Sequence, residues 1–172
     1  MSAVSFDDVE ISRLGKSEAL PYDLLLLADP SREIIDTYLG ASDVYVARWN
    51  NEIIGVYVLF PLDQTAVEIK AIAVAAGHQG KGLGGRLLRH ADDMARQRGF
   101  RKIVIGTANA SVGQIYLYQK QGFELTELRK NFFLDLYSEP IFENGIQCKH
   151  MLVFRKELRN EASLTETNHG NP

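Results

Sequence analysis

Residues 77–88, GHQGKGLGGRLL, decide how this chain is read. Gly80, Gly82, Gly84 and Gly85 fall within six positions, and an apolar-periodic segment begins at Leu83. Glycines leave backbone N–H groups unobstructed, and a helix N-terminus adds its positive end. The stretch therefore predicts a cradle for an anion.

On its N-terminal side lies AVEIKAIAV, residues 66–74. Val67, Ile69 and Ala71 alternate with Glu68 and Lys70, after which Ile72 and Val74 are apolar at the polar parity. A β-bulge near Ala71–Ile72 explains the slip and frees backbone groups for a ligand. A strand that becomes buried on both faces explains it too. On the other side, Leu83, Leu87, Leu88, Ala91, Met94 and Ala95 form one face of a helix that ends at Gly99. KIVIGT, from Lys102, is almost continuously apolar, as in a strand covered on both faces. A further helix, 111–121, stops at Gly122.

Further out, VEISRLG reads as a first strand, and two short helices follow within 20–40. The second has Asp29 as N-cap, Pro30 at its first position and Gly40 past its end. DVYVARW and EIIGVYVLFPL form a hairpin turned at Asn50–Asn51, which tolerate positive φ. FELTELRKNFF and HMLVFRKEL read as the last two strands. The fold expected is mixed α/β, a parallel crossover joined to an antiparallel meander. Residues 1–158 form one domain, and the polar stretch 159–172 reads as a disordered tail.

Bulk properties narrow the function. A chain of 172 residues buries enough surface to need no disulfide, and Cys148 is its single cysteine. A lone thiol without metal-ligand spacing suits a reducing cytoplasm and predicts no metal. The N-terminus lacks a signal-like apolar core, and the longest apolar runs are about half a membrane span. No membrane partner is expected. A net charge of −3 argues against nucleic acid. Positive charge is nevertheless concentrated: residues 81–102 carry seven Lys or Arg against Asp92 and Asp93, and the remainder is acidic. That run is either a solvated mixed-charge helix face or a field around a bound anion.

Three anion-binding patterns compete for the loop. GKGLGG satisfies G-x-G-x-x-G, but the following strand ends in VIGTANAS, with no carboxylate to hold a ribose. A phosphate-binding G-x-x-x-x-G-K loop fails, because no glycine stands at 75 and Lys81 is followed by glycine. The third pattern, Q-x-x-G-x-G, is met by Gln79, Gly82 and Gly84.

With that pattern the chain resembles the GNAT superfamily of N-acetyltransferases, in a small, bacterial-type, single-domain form. The resemblance spans roughly residues 43–125. EIKAIAVAAGHQGKGLGGRLL is similar to the central acetyl-CoA motif of that family, and TANASVGQIYLYQKQGF to its next motif. It implies an acetyl-CoA-dependent N-acetyltransferase that acetylates a primary amine directly in a ternary complex. The alternative is a non-catalytic acyl-CoA-binding module. The implied cofactor contacts are Ile72, Ala73 and Val74, pairing their backbone with the pantetheine arm, and Gln79, Gly80, Lys81, Gly82, Leu83, Gly84 and Gly85 around the pyrophosphate. Asn109 would reach the same arm, cap the next helix, or do both.

Acetyl transfer requires a proton for the departing sulfur and removal of one from the amine. Tyr118, four residues before Gly122, matches the usual general acid of the family, whereas Tyr116 lies about 200° around the helix. Glu68, 14 positions before Gly82, matches the general base of the histone-acetylating members; paired with Lys70, it is equally an ordinary strand residue. His78 and His90 read as surface residues. In residues 131–148, Phe132, Phe133, Tyr137 and Phe142 stand among Asp135, Glu139 and Glu143. Aromatic faces with carboxylates suit a small cationic amine, and the same segment also suits a crossover arm or a homodimer contact.

Overall fold

Two asparagines in the left-handed region, Asn50 (φ 49°) and Asn51 (φ 66°), turn the hairpin that sets the register of the sheet. The strands they join are β2 (Asp43–Trp49) and β3 (Glu52–Pro61), with β1 (Glu10–Arg13) antiparallel on the outer side of β2. The computed structural model describes residues 8–159. Beyond β3 the order along the chain is β4 (Ala66–Val74), α3 (Leu83–Gln97), β5 (Lys102–Ala108), α4 (Val112–Lys120) and β6 (Glu124–Arg129). A short α5 (Phe132–Leu136), a small hairpin of β7 (Phe142–Glu143) and β8 (Ile146–Gln147), and β9 (Met151–Glu157) complete it. Two helices, α1 (Tyr22–Ala28) and α2 (Arg32–Leu39), stand between β1 and β2.

The main sheet has seven strands in the order β1-β2-β3-β4-β5-β9-β6. Its single parallel pair is β4–β5, as expected for a strand–helix–strand crossover set in a meander. Both faces are covered. On one, Leu83, Leu87, Leu88, Ala91 and Ala95 of α3 pack on Tyr57, Leu59, Val67, Ile69, Ile103 and Phe154. On the other, Leu24, Leu25, Ile35 and Tyr38 of α1 and α2 pack on Val44, Val46, Val56, Val58, Ala71 and Ala73. Each fully buried leucine stabilises this arrangement by about 1.5–3 kcal/mol. Within α3, buried Asp92 departs from the apolar stripe, and its carboxylate is paired with the Lys156 ammonium. Among the described residues no helix is long and apolar enough to cross a membrane.

The bulge exists, one residue earlier than expected. Val58 pairs with Ala71 and Leu59 with Ile69, so Lys70 has no partner on β3. The parity slip follows: Val67 and Ile69 lie in the α3-side core, Ala71 and Ala73 in the α1-side core, and Ile72 and Val74 return to the first.

Two local expectations are corrected. Ser31, not Asp29, caps α2, its hydroxyl accepting from the Ile34 N–H at 3.3 Å. Asp29 instead closes α1 and accepts from the Ser31 N–H at 3.0 Å. The strand expected through Phe133 stops at Arg129, because Asn131 takes φ 61° and the chain turns into α5. The expected disordered tail, apart from Arg159, lies outside the described residues.

Candidate functional site

The parallel pairing of β4 and β5 covers only Ala66–Ile69 with Lys102–Ile105. Past that point β4 stays on β3 as far as Val74 and β5 stays on β9 as far as Ala108, so the two strands part. A cleft of about 340 Å³ opens where they separate. Its walls are Ile72, Ala73 and Val74 of β4, the loop residues His78, Gln79, Gly80 and Gly82, the first turn of α3 (Leu83, Gly84, Gly85), and Gln114, Leu117 and Tyr118 of α4, with Leu27 beside them.

The loop has the geometry of an anion cradle. After a single 3₁₀ turn at Ala76–His78, Gly80 takes φ 70° and Gly82, the N-cap of α3, takes φ 91°. A Cβ at either glycine would stand in open space, although the backbone there disfavours an L side chain. The first-turn N–H groups of α3 have no intrahelical acceptors and face the cleft end of the helix dipole. Gln79 Nε2 donates to the Val74 carbonyl at 2.9 Å, and Lys81 Nζ to the Gly77 carbonyl at 3.0 Å, tying the loop to itself.

No Lys or Arg lines this cleft among the described residues. Arg86 donates to the Val9 carbonyl at 2.6 Å, Arg98 pairs with Asp43, and Arg96 pairs with Asp93 at 3.4 Å. The basic run thus holds elements together, and the positive potential of the cradle comes from backbone. Lys81, expected among the ligand contacts, is off the wall. His78, expected at the surface, is on it, edge-on to Trp49 with ring centroids 5.7 Å apart and Nδ1 buried without a partner. His90 lies elsewhere, its Nδ1 2.7 Å from the Tyr57 hydroxyl, and burial lowers its pKa.

A second, smaller chamber of about 160 Å³ adjoins the cleft and shares Leu27, Ile72, Gln114 and Tyr118 with it. Tyr118 is 3% exposed and packs edge-on to Phe154 at 5.8 Å. Burial, with the charge of Glu143 second, pushes its hydroxyl above the ordinary tyrosine range. The far wall brings Asp29, Phe133, Tyr137, Glu143 and Cys148 together. Tyr137 donates to Asp29 Oδ1 at 2.9 Å and stacks on Phe133 at 5.8 Å. Burial, then Asp29, raises the Tyr137 pKa. Phe132, Phe142, Asp135 and Glu139 are not among the lining residues.

Glu68 is not brought to Tyr118. Its carboxylate lies 3.2 Å from Lys70 Nζ, its side chain is 12% exposed, and it lines neither cavity. Lys70, the bulge residue, does line the chamber, with its ammonium 5.5 Å from the Phe60 ring centroid. Asn109 is also absent from both walls, and it does not cap α4, whose N-cap is Ser111. Its amide nitrogen donates to the Gln147 carbonyl at 3.1 Å, and its oxygen accepts from the N–H groups of Lys149 (2.8 Å) and His150 (3.0 Å). Asp29 was missed in the sequence because it reads as a helix cap; only the fold brings it against Tyr137. Among the described residues no cluster of His, Cys, Asp or Glu could hold a metal ion.

The model of the acetyltransferase (GNAT) family matches residues 16–123. An uncharacterised N-acetyltransferase of Bacillus subtilis is 48% identical over 137 residues, which is 80% of this chain and 88% of that protein. A GNAT family acetyltransferase of Elizabethkingia anophelis, solved with acetyl-CoA bound, is 53% identical with a TM-score of 0.87, covering 88% of this chain and 99% of the other. A Bacillus subtilis acetyltransferase in complex with CoA is 43% identical with a TM-score of 0.82, covering 88% and 99%.

The bonds of Asn109 generate a prediction. Asn109→Ala removes all three side-chain hydrogen bonds, one to Gln147 of β8 and two to Lys149 and His150 just after it. At about 1 kcal/mol net for each, the loss should be about 2–4 kcal/mol, with faster amide exchange at Lys149 and His150. An unchanged melting temperature and unchanged exchange would show that the clamp contributes nothing.

Proposed function

We propose that this chain, which belongs to the GNAT acetyltransferase family, moves the acetyl group of acetyl-CoA directly onto a small primary amine. One observation carries this reading: the buried side chain of Tyr118 stands in the shared wall of the anion-cradle cleft and the carboxylate-bearing chamber. A donor in the cleft and an acceptor in the chamber would meet there.

The described residues fit acetyl-CoA. Gly82, Leu83, Gly84 and Gly85 offer backbone N–H groups to the pyrophosphate, with open space beside Gly80 and Gly82. Gln79 and Gly80 shape that turn, and Lys81 braces it from outside through Gly77. The edge of β4 at Ile72, Ala73 and Val74, unpaired on its β5 side, takes the pantetheine arm as an added strand. Related proteins solved with acetyl-CoA and with CoA support the same occupant. When bound, acetyl-CoA supplies a thioester carbonyl that an amine can attack, with a thiolate as leaving group. Asn109 acts on the hairpin beside the chamber, not on the arm.

Tyr118 gives its hydroxyl proton to the departing sulfur. Its raised pKa suits this role, because the group keeps its proton above pH 10, where an ordinary tyrosine ionises. The chamber, with Asp29 and Glu143 on its wall, draws in a cation, and its volume of about 160 Å³ suits a small acceptor.

Turnover of acetyl-CoA against a panel of small amines tests the assignment. Tyr118→Phe should retain acetyl-CoA affinity and lower kcat by about 10²-fold or somewhat less. Because the tyrosine stays protonated, wild-type kcat should show no loss on its account between pH 8 and about 10. Wild-type activity in the phenylalanine variant would remove the acid role. Binding of acetyl-CoA without turnover on any amine would replace the enzyme with a binding module.

The cradle has its own test. Gly82→Val forces a β-branched residue to φ 91° and points it into the open space of the loop. Calorimetry should show acetyl-CoA affinity reduced by at least about tenfold in a folded variant. Unchanged affinity would place the pyrophosphate elsewhere.

A further inference from the structure

We propose that Glu143 is the proton acceptor for the attacking amine and the anchor for its ammonium form. The proposal rests on the acetyl-transfer reading above and supplies the residue that Glu68 does not. Among the described lining residues, only Asp29 and Glu143 bring carboxylates to the chamber. Asp29 Oδ1 already accepts from the Tyr137 hydroxyl and the Ser31 N–H. Glu143 accepts one neutral hydroxyl, Ser111 Oγ at 2.5 Å on Oε2, and has no ion-pair partner among the described residues. The one cation in the wall, Lys70, is already neutralised by Glu68. Glu143 and Tyr118 line the same chamber, and the charge of Glu143 reaches both Tyr118 and Cys148.

The position of Glu143 is built, not incidental. The turn Asn144 (φ 52°) and Gly145 (φ 74°) joins β7 to β8. Three consecutive residues between β5 and α4 hold that hairpin. Asn109 donates to the Gln147 carbonyl of β8, the Ala110 carbonyl accepts from Asn144 Nδ2 at 3.0 Å, and Ser111 bonds Glu143 itself. The link that leads into the Tyr118 helix therefore also fixes the carboxylate. Glu143 is exposed on its outer side, which gives its proton a route to water.

The proton balance closes. The incoming ammonium pairs with Glu143 and releases one proton to solvent. As the nitrogen–carbon bond forms, the second amine proton passes to Glu143. As the carbon–sulfur bond breaks, Tyr118 protonates the sulfur. Glu143 then returns its proton to Tyr118 through water, and both groups are restored.

Glu143→Gln keeps the size of the side chain and an oxygen for Ser111, but cannot take the proton. Its kcat/KM should fall by about 10²–10³-fold, with acetyl-CoA affinity unchanged by calorimetry and the melting temperature retained. In Glu143→Ala, added formate should restore part of the rate, and it should not do so in Tyr118→Phe or wild type. A structural role would not respond to formate. Wild-type kcat/KM in Glu143→Gln, or no formate rescue of Glu143→Ala, overturns the proposal while leaving acetyl transfer intact. No wild-type turnover on any amine overturns both.

Discussion

The site depends on one residue too many in β4. Lys70 has no partner on β3, and the parallel ladder to β5 ends at Ile69–Ile105, the position just before it. A bulge bends its strand and increases the local twist, so the second half of β4 swings away from β5. Each strand remains paired on its other side, and the divergence therefore costs the sheet little beyond the bonds lost between them. It leaves two facing backbone edges unpaired inside a fold covered on both faces. That opening is where the cleft and chamber lie, and the helices at its mouth determine what can enter.

Charge is handled differently at the two ends of the opening. At the cradle, the cations nearest in sequence are engaged with carbonyls and carboxylates of the fold, and the attraction for an anion comes from oriented N–H groups. Backbone donors are positioned by the helix itself and lose no side-chain entropy on binding. At the chamber, two carboxylates with neutral partners leave a negative field that Lys70, neutralised by Glu68, does not cancel. Tyr118 stands where the two regions meet, its proton retained by burial. Residues 109–111 couple the regions mechanically, since they close β5, lead into α4 and hold the hairpin that carries Glu143.

Several pieces of local chemistry were legible in the sequence. Asn50–Asn51 takes the expected turn, the α3 stripe is buried, and the parity slip in AVEIKAIAV marks the bulge. The slip pointed one residue late because Lys70, solvent-facing either way, looks the same as a bulge residue and as an ordinary polar position. Strand propensity at Phe132 and Phe133 concealed the left-handed turn at Asn131. What stayed hidden depends on distant contacts. Asn109 bonds residues 38 to 41 positions away, and Tyr137 reaches Asp29 across 108. Glu68 was singled out by its likeness to the family's base, with a pairing to Lys70 weighed beside it, and that pairing is what forms; no pattern in the chain records that Glu143 folds back onto Ser111.

In the proposed reaction donor and acceptor are held together, end to end, and the acetyl group passes between them without a covalent stop on the protein. Cys148, the one thiol in the chamber wall, is poorly suited to such a stop because burial and Glu143 keep it protonated. Initial velocities measured over a grid of acetyl-CoA and amine concentrations are the most direct test of this transfer. Double-reciprocal lines that intersect are the predicted result, the signature of a ternary complex. Parallel lines would mean that an acetylated protein forms and releases CoA before the amine arrives, and they would contradict the account.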